Sequence, residues 1–476
     1  MRVLLHNPAI RPEQFGRFAA LLEPMPCIGL AYVATFLARA GHQVRVYDEF
    51  VLRRGEPGVL EALAAFEPDA LGVSILTPVA GWVIELLREA RRRWPVLRIF
   101  AGNLHADLFP EELQGLCDAV VHGEGEQASV DLLAAWARGE RGEGIPGVTV
   151  LTGTELVRGP ARPLATDLDS FPFPDWSLLP YRRYTLMPLG TMARPLVTAV
   201  ASRGCPNRCD YCALSYQGQG VRHRSVGHVV DELEHDVARF GVRQVGFMDP
   251  VFPLHDEQAI DFSREILRRG LHQRLLWLSE LRPDSVGPEA LGWMRRAGCR
   301  RLVMGIETGV ESLAHAMNRR FDRARTRDFV RACRRADITT VGLFMIGMPG
   351  ETPEQTEETI RYACSLELDF AKFAITVPFP GSKLYDDLKA RGVLDGHRWA
   401  DYTTFNPDAG RIAIASQVQR PEQLLASLRS ATKRFYLRPG LALRHLVRIR
   451  SVDARQLARG LWSLAPDLGR RLRAAR

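Results

Sequence analysis

The stretch that decides the fold is a cysteine-rich segment near the middle of the chain, Ser202-Arg203-Gly204-Cys205-Pro206-Asn207-Arg208-Cys209-Asp210-Tyr211-Cys212. Its three cysteines have the spacing C-x3-C-x2-C, which can turn three thiolates toward one point. Three thiolates suit an iron–sulfur cluster, in which one iron then stays open to a small molecule. The alternatives are three unrelated thiols or a zinc ion, which would need a fourth ligand and usually prefers paired C-x2-C units.

Composition places the chain among globular proteins of two or three domains. It has 476 residues, 46% hydrophobic and 25% charged, and a net charge of +8 that is too small to predict nucleic-acid binding. Eight cysteines, three of them clustered, exclude a disulfide scaffold and fit a reducing cytoplasm. The first eight residues are too short and polar for a signal peptide, and no run of 18 apolar residues predicts a membrane span.

Short apolar strands alternate with helix-like segments over residues 1–140. This pattern predicts an α/β domain with a doubly wound parallel sheet, whose strands are Val3–Leu5, Val44–Tyr47, Ala70–Leu76, Leu97–Ala101 and Ala119–Val121. Ligands of such sheets bind beyond the carboxyl ends of the strands. The candidate binding residues there are small, polar or at a loop, namely Ser74, Leu76, Thr77, Gly102, Gly123 and Gly125. Ordinary turn glycines are the alternative interpretation of the last three.

Residues 141–195 form a predicted connector. A small hairpin is expected at Val148–Leu151 and Leu156–Val157. Prolines then fix an extended path over the surface, at Pro160, Pro163, Pro172, Pro174 and Pro180.

A second βα series over residues 196–400 predicts a partial (β/α)6 barrel. Its strands are Val197–Ala201, Gln244–Met248, Leu275–Leu278, Arg301–Met304, Thr340–Ile346 and Lys372–Val377. Thr352-Pro353-Glu354-Gln355 has the residues of a capping box that begins a helix. The site of such a barrel lies at the carboxyl ends of its strands. Polar or glycine-rich loops follow the strands there, and they carry Asp249, Glu280, Arg282, Glu307 and Gly347.

The cysteine segment resembles the cluster loop of the radical S-adenosylmethionine (radical SAM) superfamily, in which an aromatic residue, here Tyr211, precedes the last cysteine. The resemblance implies that Cys205, Cys209 and Cys212 hold a 4Fe–4S cluster whose open iron binds SAM. It implies reductive cleavage of SAM to a 5′-deoxyadenosyl radical, with a flavodoxin or ferredoxin-type protein as electron donor. The implied SAM contacts are Asp249 to the methionine amino group, Glu280, Arg282 and Glu307 to ribose and carboxylate, and Gly347 to adenine.

Residues 1–140 resemble the cobalamin-binding domain that precedes the radical SAM domain in one large subgroup. The shared features are Pro26, Gly29, Leu30, Gly41, His42, Ser74, Thr77 and the Gly-Glu-Gly-Glu turn at residues 123–126. The chain departs from the subgroup where Ala101-Gly102-Asn103-Leu104-His105 replaces Gly-Gly-Pro-His.

The resemblance also bears on the axial ligand of a bound cobalamin. The D-x-H-x-x-G motif that supplies an axial histidine elsewhere is absent from this domain, and Asp395-Gly396-His397 lies far downstream without the final glycine. We therefore expect no histidine below the cobalt, Ser74, Leu76 and Thr77 facing the lower side of the corrin, and His105 acting as a hydrogen-bonding loop residue.

Both resemblances together imply a cobalamin-dependent radical SAM enzyme that methylates an unactivated carbon of a small molecule, with lipid and tetrapyrrole substrates both open. One alternative is a non-methylating reaction such as oxidative ring closure on a tetrapyrrole. Others are a radical SAM enzyme with a degenerate cobalamin domain, and a cobalamin or SAM sensor. A methylthiotransferase is disfavoured, because a second cluster needs three cysteines and the N-terminal part has only Cys27 and Cys117.

The C-terminal region, residues 401–476, is predicted to be helical and basic from Pro421 onward. Its arginines are Arg434, Arg438, Arg444, Arg448, Arg450, Arg455, Arg459, Arg470, Arg471, Arg473 and Arg476. One interpretation is a surface that binds an acidic substrate or anionic lipid, the latter as in a peripheral membrane contact. The other is the solvated face of helices that pack on the barrel.

Replacing Cys205, Cys209 or Cys212 by alanine is expected to abolish SAM cleavage and to remove the cluster absorbance after anaerobic reconstitution. The matched control is Cys333→Ala, because a cysteine in a helical stretch behaves as a small hydrophobic residue. A triple alanine variant that still carried a normal iron–sulfur cluster would refute the assignment.

Overall fold

The computed structural model describes residues 1–11, 25–52, 55–153, 155–185, 191–216, 220–394, 396, 398–404 and 413–441. Within these ranges the chain forms two sheets made mainly of parallel strands, each with helices packed against it. A two-stranded ribbon lies at the cysteine segment. The predicted combination of an α/β sheet domain, a partial barrel and a helical C-terminal region is confirmed.

The first sheet has seven strands in the order β2-β1-β3-β4-β5-β6-β7. They are β1 Arg2–Asn7, β2 Gln43–Asp48, β3 Ala70–Ser74, β4 Arg98–Gly102, β5 Ala119–Val121, β6 Val148–Leu151 and β7 Leu156–Arg158. The first five are mutually parallel. Strand β6 is antiparallel to both of its neighbours, β5 and β7. The hairpin that the sequence placed in the connector therefore continues the first sheet, because β6 pairs with β5.

Helices cover both faces of this sheet. They are α1 Ile28–Arg39, α2 Val59–Phe66, α3 Ala80–Arg93, α4 Leu104–Leu108 and α5 Gly125–Ala137. Alternate residues of β1 belong to different apolar cores, since Val3 and Leu5 pack in one and Leu4 in the other. This alternation is what a strand buried on both faces requires.

The second sheet has six parallel strands in the order β15-β14-β13-β12-β11-β8, so that β15 and β8 are its edges and the barrel is partial. Its strands and the ribbon strands are β8 Leu196–Ala199, β9 Ser202–Arg203, β10 Arg222–His223, β11 Gln244–Phe247, β12 Leu276–Leu281, β13 Cys299–Glu307, β14 Thr339–Ile346 and β15 Phe370–Ile375. Its helices are α6 Ala213–Tyr216, α7 Val226–Phe240, α8 Asp256–Arg268, α9 Pro288–Arg296, α10 Glu311–Ala316, α11 Arg323–Arg335, α12 Pro353–Ser365, α13 Lys383–Ala390 and α14 Pro421–Tyr436.

Short 3₁₀ turns connect several of these elements, at Glu49–Val51, Thr77–Val79, Pro110–Leu113, Trp176–Leu178, Tyr181–Arg183, Leu271–Gln273 and Trp399–Asp401. The predicted capping box is confirmed, because the Thr352 hydroxyl accepts from Gln355 N at 3.3 Å and Thr352 N donates to the Gln355 side chain at 3.0 Å. It begins α12 directly after the loop that follows β14.

Strand alternation sets which side chains face the interior of the barrel. On β14 and β15, Phe344 and Phe373 stack on each other at 5.2 Å, and Phe373 contacts Phe435 of α14. These rings therefore face the outer helices. Leu343 and Lys372, which pair in register and alternate with them, face the interior.

The connector is anchored between the two sheets by buried aromatic residues. Tyr184 and Trp176 are fully buried. The Tyr184 hydroxyl donates to Asp48 at the end of β2 (2.7 Å), and Trp176 Nε1 donates to Asp236 of α7 at 3.3 Å. The connector therefore fixes the first domain against the barrel.

The described part of the C-terminal region packs on the barrel. In α14, Leu424, Ala431 and Phe435 are fully buried, and Arg434 pairs with Glu357 at 2.7 Å. This supports the interpretation of residues 421–441 as packing helix. The arginines from Arg444 to Arg476 lie outside the described residues. In the part of the chain that is described, no helix is long and apolar enough to cross a membrane.

Candidate functional site

The cysteine loop follows β9 at the mouth of the barrel and is tied down by its backbone. Gly204 has φ +92°, a conformation that favours glycine. Asp210 N donates to Met317 O at 3.1 Å, and the Asn318 side chain donates to Arg208 O at 2.7 Å. On the other side Leu384 N donates to Asp210 O at 2.9 Å. Segments far away in sequence thus hold the loop in shape.

The three thiols sit in a polar and partly enclosed environment. Cys209 is buried, whereas Cys205 and Cys212 are half-buried. The Asn207 side chain lies 3.6 Å from Cys205 Sγ, and Arg319 Nη1 lies 3.9 Å from Cys209 Sγ. Such donors stabilise thiolates.

The donor set of this loop consists of three free thiols. Among the described residues no group of three or more His, Cys, Asp or Glu side chains is arranged to hold one metal ion. Each thiolate of a 4Fe–4S cluster binds a different iron, so the three sulfur atoms need not meet at one point. Three thiols on one loop therefore fit the cluster that the sequence predicts, and the assignment of its ligands stays a prediction.

Asp249 follows β11, and its carboxylate accepts hydrogen bonds from neighbouring residues of the protein. Its oxygens accept from Ala201 N at 2.9 and 3.1 Å and from the Ser202 hydroxyl at 2.6 Å. The side chain is buried, and burial raises the pKa of Asp249 to about 6. It fixes the backbone that leads into the cysteine loop, a role that the predicted contact with SAM did not include.

Arg282 follows β12 and also serves the loop. Its guanidinium donates to the Asn207 side chain at 2.7 Å, to Asp284 at 2.9 Å and to Arg320 O at 2.9 Å. Most of its donor capacity is therefore used by the protein.

Glu307 and Arg319 form a largely buried charged pair beside the cysteines. Glu307 ends β13 with φ +68°, and its Oε1 lies 3.9 Å from Arg319 Nη1. Arg319 also donates to the Tyr211 hydroxyl at 3.1 Å and to Gly305 O. Burial raises the pKa of Glu307, and Arg319 opposes that shift. Arg319 was not predicted from the sequence, because it follows α10, outside the strand ends, and no motif marks it.

Glu280 and Lys372 add one acid and one base to the barrel interior. Burial and the neighbouring Glu307 raise the pKa of Glu280 to about 7. Burial lowers the pKa of Lys372 to about 8, although Glu280 opposes the shift. Glu280 thus lies near a second carboxyl group and two cationic groups, and such a set of charges suits a zwitterionic ligand such as an amino acid moiety.

Gly347 follows β14 in a loop that is stabilised by the carboxylate of Glu351, a residue of the same loop. It has φ +77°, and a Cβ there would lie 2.8 Å from the Leu424 side chain. Glu351 accepts from Met348 N and from the Thr356 hydroxyl, both at 2.8 Å. Glycine is therefore required at Gly347 both by backbone conformation and by the close approach of α14.

The candidate residues of the first domain collect at the carboxyl ends of β3, β4 and β5. The Ser74 hydroxyl accepts from the Asn103 side chain at 2.9 Å, so the two loops are joined. Leu76 is 47% exposed, whereas Thr77 is buried. The glycines allow the loops to turn or approach closely, with Gly102 facing Val121 O, Gly123 at φ +63° and Gly125 starting α5.

The expectation that His105 is a hydrogen-bonding loop residue was wrong. The ring is fully buried in α4, and within the described part of the chain neither nitrogen makes a hydrogen bond, although Nε2 lies 3.5 Å from Glu112 Oε2. Its centroid lies 5.0 Å from Phe109 and 4.9 Å from Trp399, and burial lowers its pKa to about 4. His105 is thus a neutral aromatic residue of the core that joins the first domain to the turn at Trp399.

A sheet domain with ligand loops, joined to a partial barrel whose mouth carries three cysteines and buried charges, defines the class of cobalamin-binding radical SAM proteins. Sequence comparison agrees: residues 18–133 match the B12 binding domain family and residues 200–363 match the Radical SAM superfamily. The chain therefore combines a B12-binding domain with a radical SAM domain.

Related proteins match along most of their length. The chain is 29% identical over 442 residues to an uncharacterized methyltransferase of Pyrococcus horikoshii, covering 92% of this chain and 93% of that protein. It is 27% identical to the anaerobic magnesium-protoporphyrin IX monomethyl ester cyclase of Cereibacter sphaeroides (91% and 70%), and 28% identical to the hopanoid C-3 methylase of Methylococcus capsulatus (80% and 72%).

A solved structure shares the fold. The radical SAM methyltransferase TsrM of Kitasatospora setae, with tryptophan substrate and a SAM analogue bound, superposes with a TM-score of 0.69. The match covers 92% of this chain and 89% of that protein at 21% sequence identity. The order of a B12-type domain followed by a partial barrel is therefore common to both chains.

Glu280→Gln is expected to change the pH dependence of stability. The folded-state pKa of Glu280 is raised from 4.5 to about 7, so the folded protein keeps this proton longer than the unfolded chain. Its contribution to the free energy of unfolding should fall as pH rises from 4.5 to about 7. The glutamine variant should gain on the order of 1–3 kcal/mol over the wild type between pH 5 and pH 8.

Chemical denaturation at several pH values measures this difference. The control is Glu289→Gln on the surface of α9, which should be flat across the same range. A constant difference between the Glu280 variant and the wild type would mean that Glu280 titrates normally.

Proposed function

We propose that this protein methylates an unactivated carbon of a small molecule, using a 4Fe–4S cluster, SAM and cobalamin. The observation that carries the proposal is the pair of ligand edges within one chain, because the cysteine loop and the buried charges belong to the barrel and the Ser74–Thr77 and Gly102 loops to the B12-type domain. When bound, the cluster with SAM supplies a 5′-deoxyadenosyl radical that removes hydrogen, and cobalamin carries the methyl group.

The chain's own residues would bind, orient and enclose these groups. Cys205, Cys209 and Cys212 would hold the cluster. Arg319 and Glu307 lie beside Cys209 and would receive the carboxylate and the ammonium or ribose of SAM, with Glu280 close by. Charge-assisted hydrogen bonds in a space closed to water are strong and directional. Asp249, Arg282 and Gly347 would act through the loops whose shape they fix.

The first domain would supply the cobalamin site from its strand ends. Ser74, Leu76 and Thr77 would face the lower side of the corrin, and Gly102, Gly123 and Gly125 would allow its close approach. The exposed Leu76 gives this edge an apolar surface. An apolar surface there would help to exclude water.

A small-molecule substrate fits an enclosed site of this kind. Among the relatives, one acts on a hopanoid and another on a magnesium protoporphyrin ester, so lipid and tetrapyrrole substrates are the two classes we propose to test first. A flavodoxin or ferredoxin-type protein would deliver the electrons.

Oxidative ring closure is the second candidate, because several related proteins are anaerobic cyclases. Product analysis separates the two reactions. Methyl transfer should give S-adenosylhomocysteine and 5′-deoxyadenosine together, whereas ring closure need give only 5′-deoxyadenosine. The purified, reconstituted enzyme should be incubated with SAM, a reductant and each substrate class. Absence of S-adenosylhomocysteine in the presence of a consumed substrate would exclude methyl transfer.

Glu307→Gln is expected to raise the dissociation constant of SAM by about tenfold while iron content stays unchanged, because one charge-assisted contact is lost. Equilibrium binding and iron analysis of the same sample measure both quantities. The matched control is Glu311→Gln on the exposed first turn of α10. Loss of iron in the Glu307 variant would mean instead that this residue is structural.

Cobalamin should bind with its dimethylbenzimidazole tail off the cobalt and no histidine in its place. The buried His105, packed between Phe109 and Trp399, lies in the core of the first domain. The absorption spectrum should be base-off, and the paramagnetic resonance of cobalt(II) should lack coupling to a histidine nitrogen. A coupling that disappears in His105→Ala would contradict this expectation.

A further inference from the structure

Two glutamates of the first domain reach across to the ribbon that leads into the cysteine loop. Glu124 and Glu126 belong to the Gly-Glu-Gly-Glu turn after β5. Glu124 Oε1 lies 3.0 Å from Arg203 Nη1 and 2.7 Å from Arg222 Nη2, and Glu126 pairs with Arg203 Nη2. The turn that resembles a ligand loop therefore directs its carboxylates at the barrel domain. We call these four residues the interdomain clamp.

The ribbon needs both carboxylates. Arg203 of β9 and Arg222 of β10 are paired directly opposite each other in antiparallel register. Like charges at opposite positions repel, so this two-stranded ribbon is stabilised only when the charges are neutralised. Glu124 forms an ion pair with each of the two arginines and so offsets part of both charges.

The clamp is shielded from solvent. The side chains are 18% exposed at Arg203, 7% at Glu126, 15% at Arg222 and 17% at Glu124. The Arg203 guanidinium also lies 4.8 Å from the ring centroid of Phe171 and 5.5 Å from that of Tyr32. Exposed ion pairs contribute little to stability, but breaking an enclosed one leaves a charge without compensation.

The connector is part of the same arrangement. Glu124 Oε2 accepts from Ala165 N at 3.1 Å, and Arg222 Nη1 donates to Ala165 O at 2.7 Å. One residue of the connector is therefore held by both an acid of the first domain and a base of the ribbon. First domain, connector and ribbon meet at this point.

The clamp lies immediately next to the proposed cluster ligands. Arg203 precedes Cys205 by two residues, and the intervening Gly204 is in the left-handed region. Asp249 fixes Ala201 and Ser202 on the other side of Arg203. The position of the cysteine loop relative to the first domain thus depends on the Arg203 contacts.

We propose that the interdomain clamp sets the position of the cysteine loop against the first domain, so that Glu124 and Glu126 are positioning residues for transfer between the two cofactor sites and not corrin ligands. The proposal rests on the proposed function for its second half. The clamp should couple hydrogen removal to methyl transfer. Weakening it should allow SAM cleavage without delivery of the methyl group.

Hydrogen exchange of the purified full-length protein, without activity, tests the first half. In Glu126→Gln and Glu124→Gln, amides of residues 204–212 should exchange about tenfold faster or more than in the wild type. Arg203→Lys keeps the charge but loses the planar fork and should lie between. The matched control is Glu56→Gln, which removes the 2.9 Å pair of Arg183 with Glu56 elsewhere between connector and first domain. It should leave residues 204–212 unchanged.

The reconstituted holoenzyme tests the second half. The glutamine variants should keep their iron and cobalamin contents, while the ratio of S-adenosylhomocysteine to 5′-deoxyadenosine falls several-fold. Arg203→Lys should lie between them and the wild type in this ratio, and Glu56→Gln should not change it.

Three results would overturn the proposal. They are unchanged exchange at 204–212, faster exchange with an unchanged product ratio, and loss of cobalamin with unchanged exchange, which would make the glutamates corrin ligands. If the wild type itself transfers no methyl group, the proposed function fails, and the exchange experiment still decides whether the clamp positions the loop.

Discussion

The cysteine loop keeps its shape only because groups from distant parts of the chain pair with its backbone and its flanks. Asp249 and Arg282 hold it from two strand ends of the barrel, and the Asn318 side chain holds Arg208 O. Glu124 and Glu126 hold Arg203 from the first domain. A short loop with few apolar residues cannot bury enough surface to order itself, so these enclosed polar contacts are what fix the thiols.

The interior of the barrel follows from the same balance of burial and charge. Burial raises the pKa of both Glu280 and Glu307, and Glu307 raises that of Glu280 further. Arg319 and Lys372 offset the shift of Glu280 only in part. Burying a charge is costly unless the charge is paired, and ionisable groups with shifted pKa values often cluster at functional sites.

The two domains are joined by specific contacts as well as by apolar packing. Trp176 and Tyr184 of the connector are fully buried, and each also makes a hydrogen bond to a carboxylate of a different domain. At the opposite side, His105 and Phe109 pack on Trp399. Directional contacts on both sides restrict how far the strand ends of one sheet can move relative to the other.

The sequence by itself determined the two mainly parallel sheets and the start of α12. Apolar periodicity, cysteine spacing and capping residues are local signals, and the strands from Arg2–Asn7 to Phe370–Ile375 lie within a few residues of the predicted positions. Only the tertiary structure decided that β6 extends the first sheet, that His105 is a core residue and that Arg319 joins Cys209, Tyr211 and Glu307. It also turned Glu124 and Glu126 toward Arg203. Each of these depends on a partner that is distant in sequence, and the direction of a side chain is set by that partner and not by its neighbours along the chain.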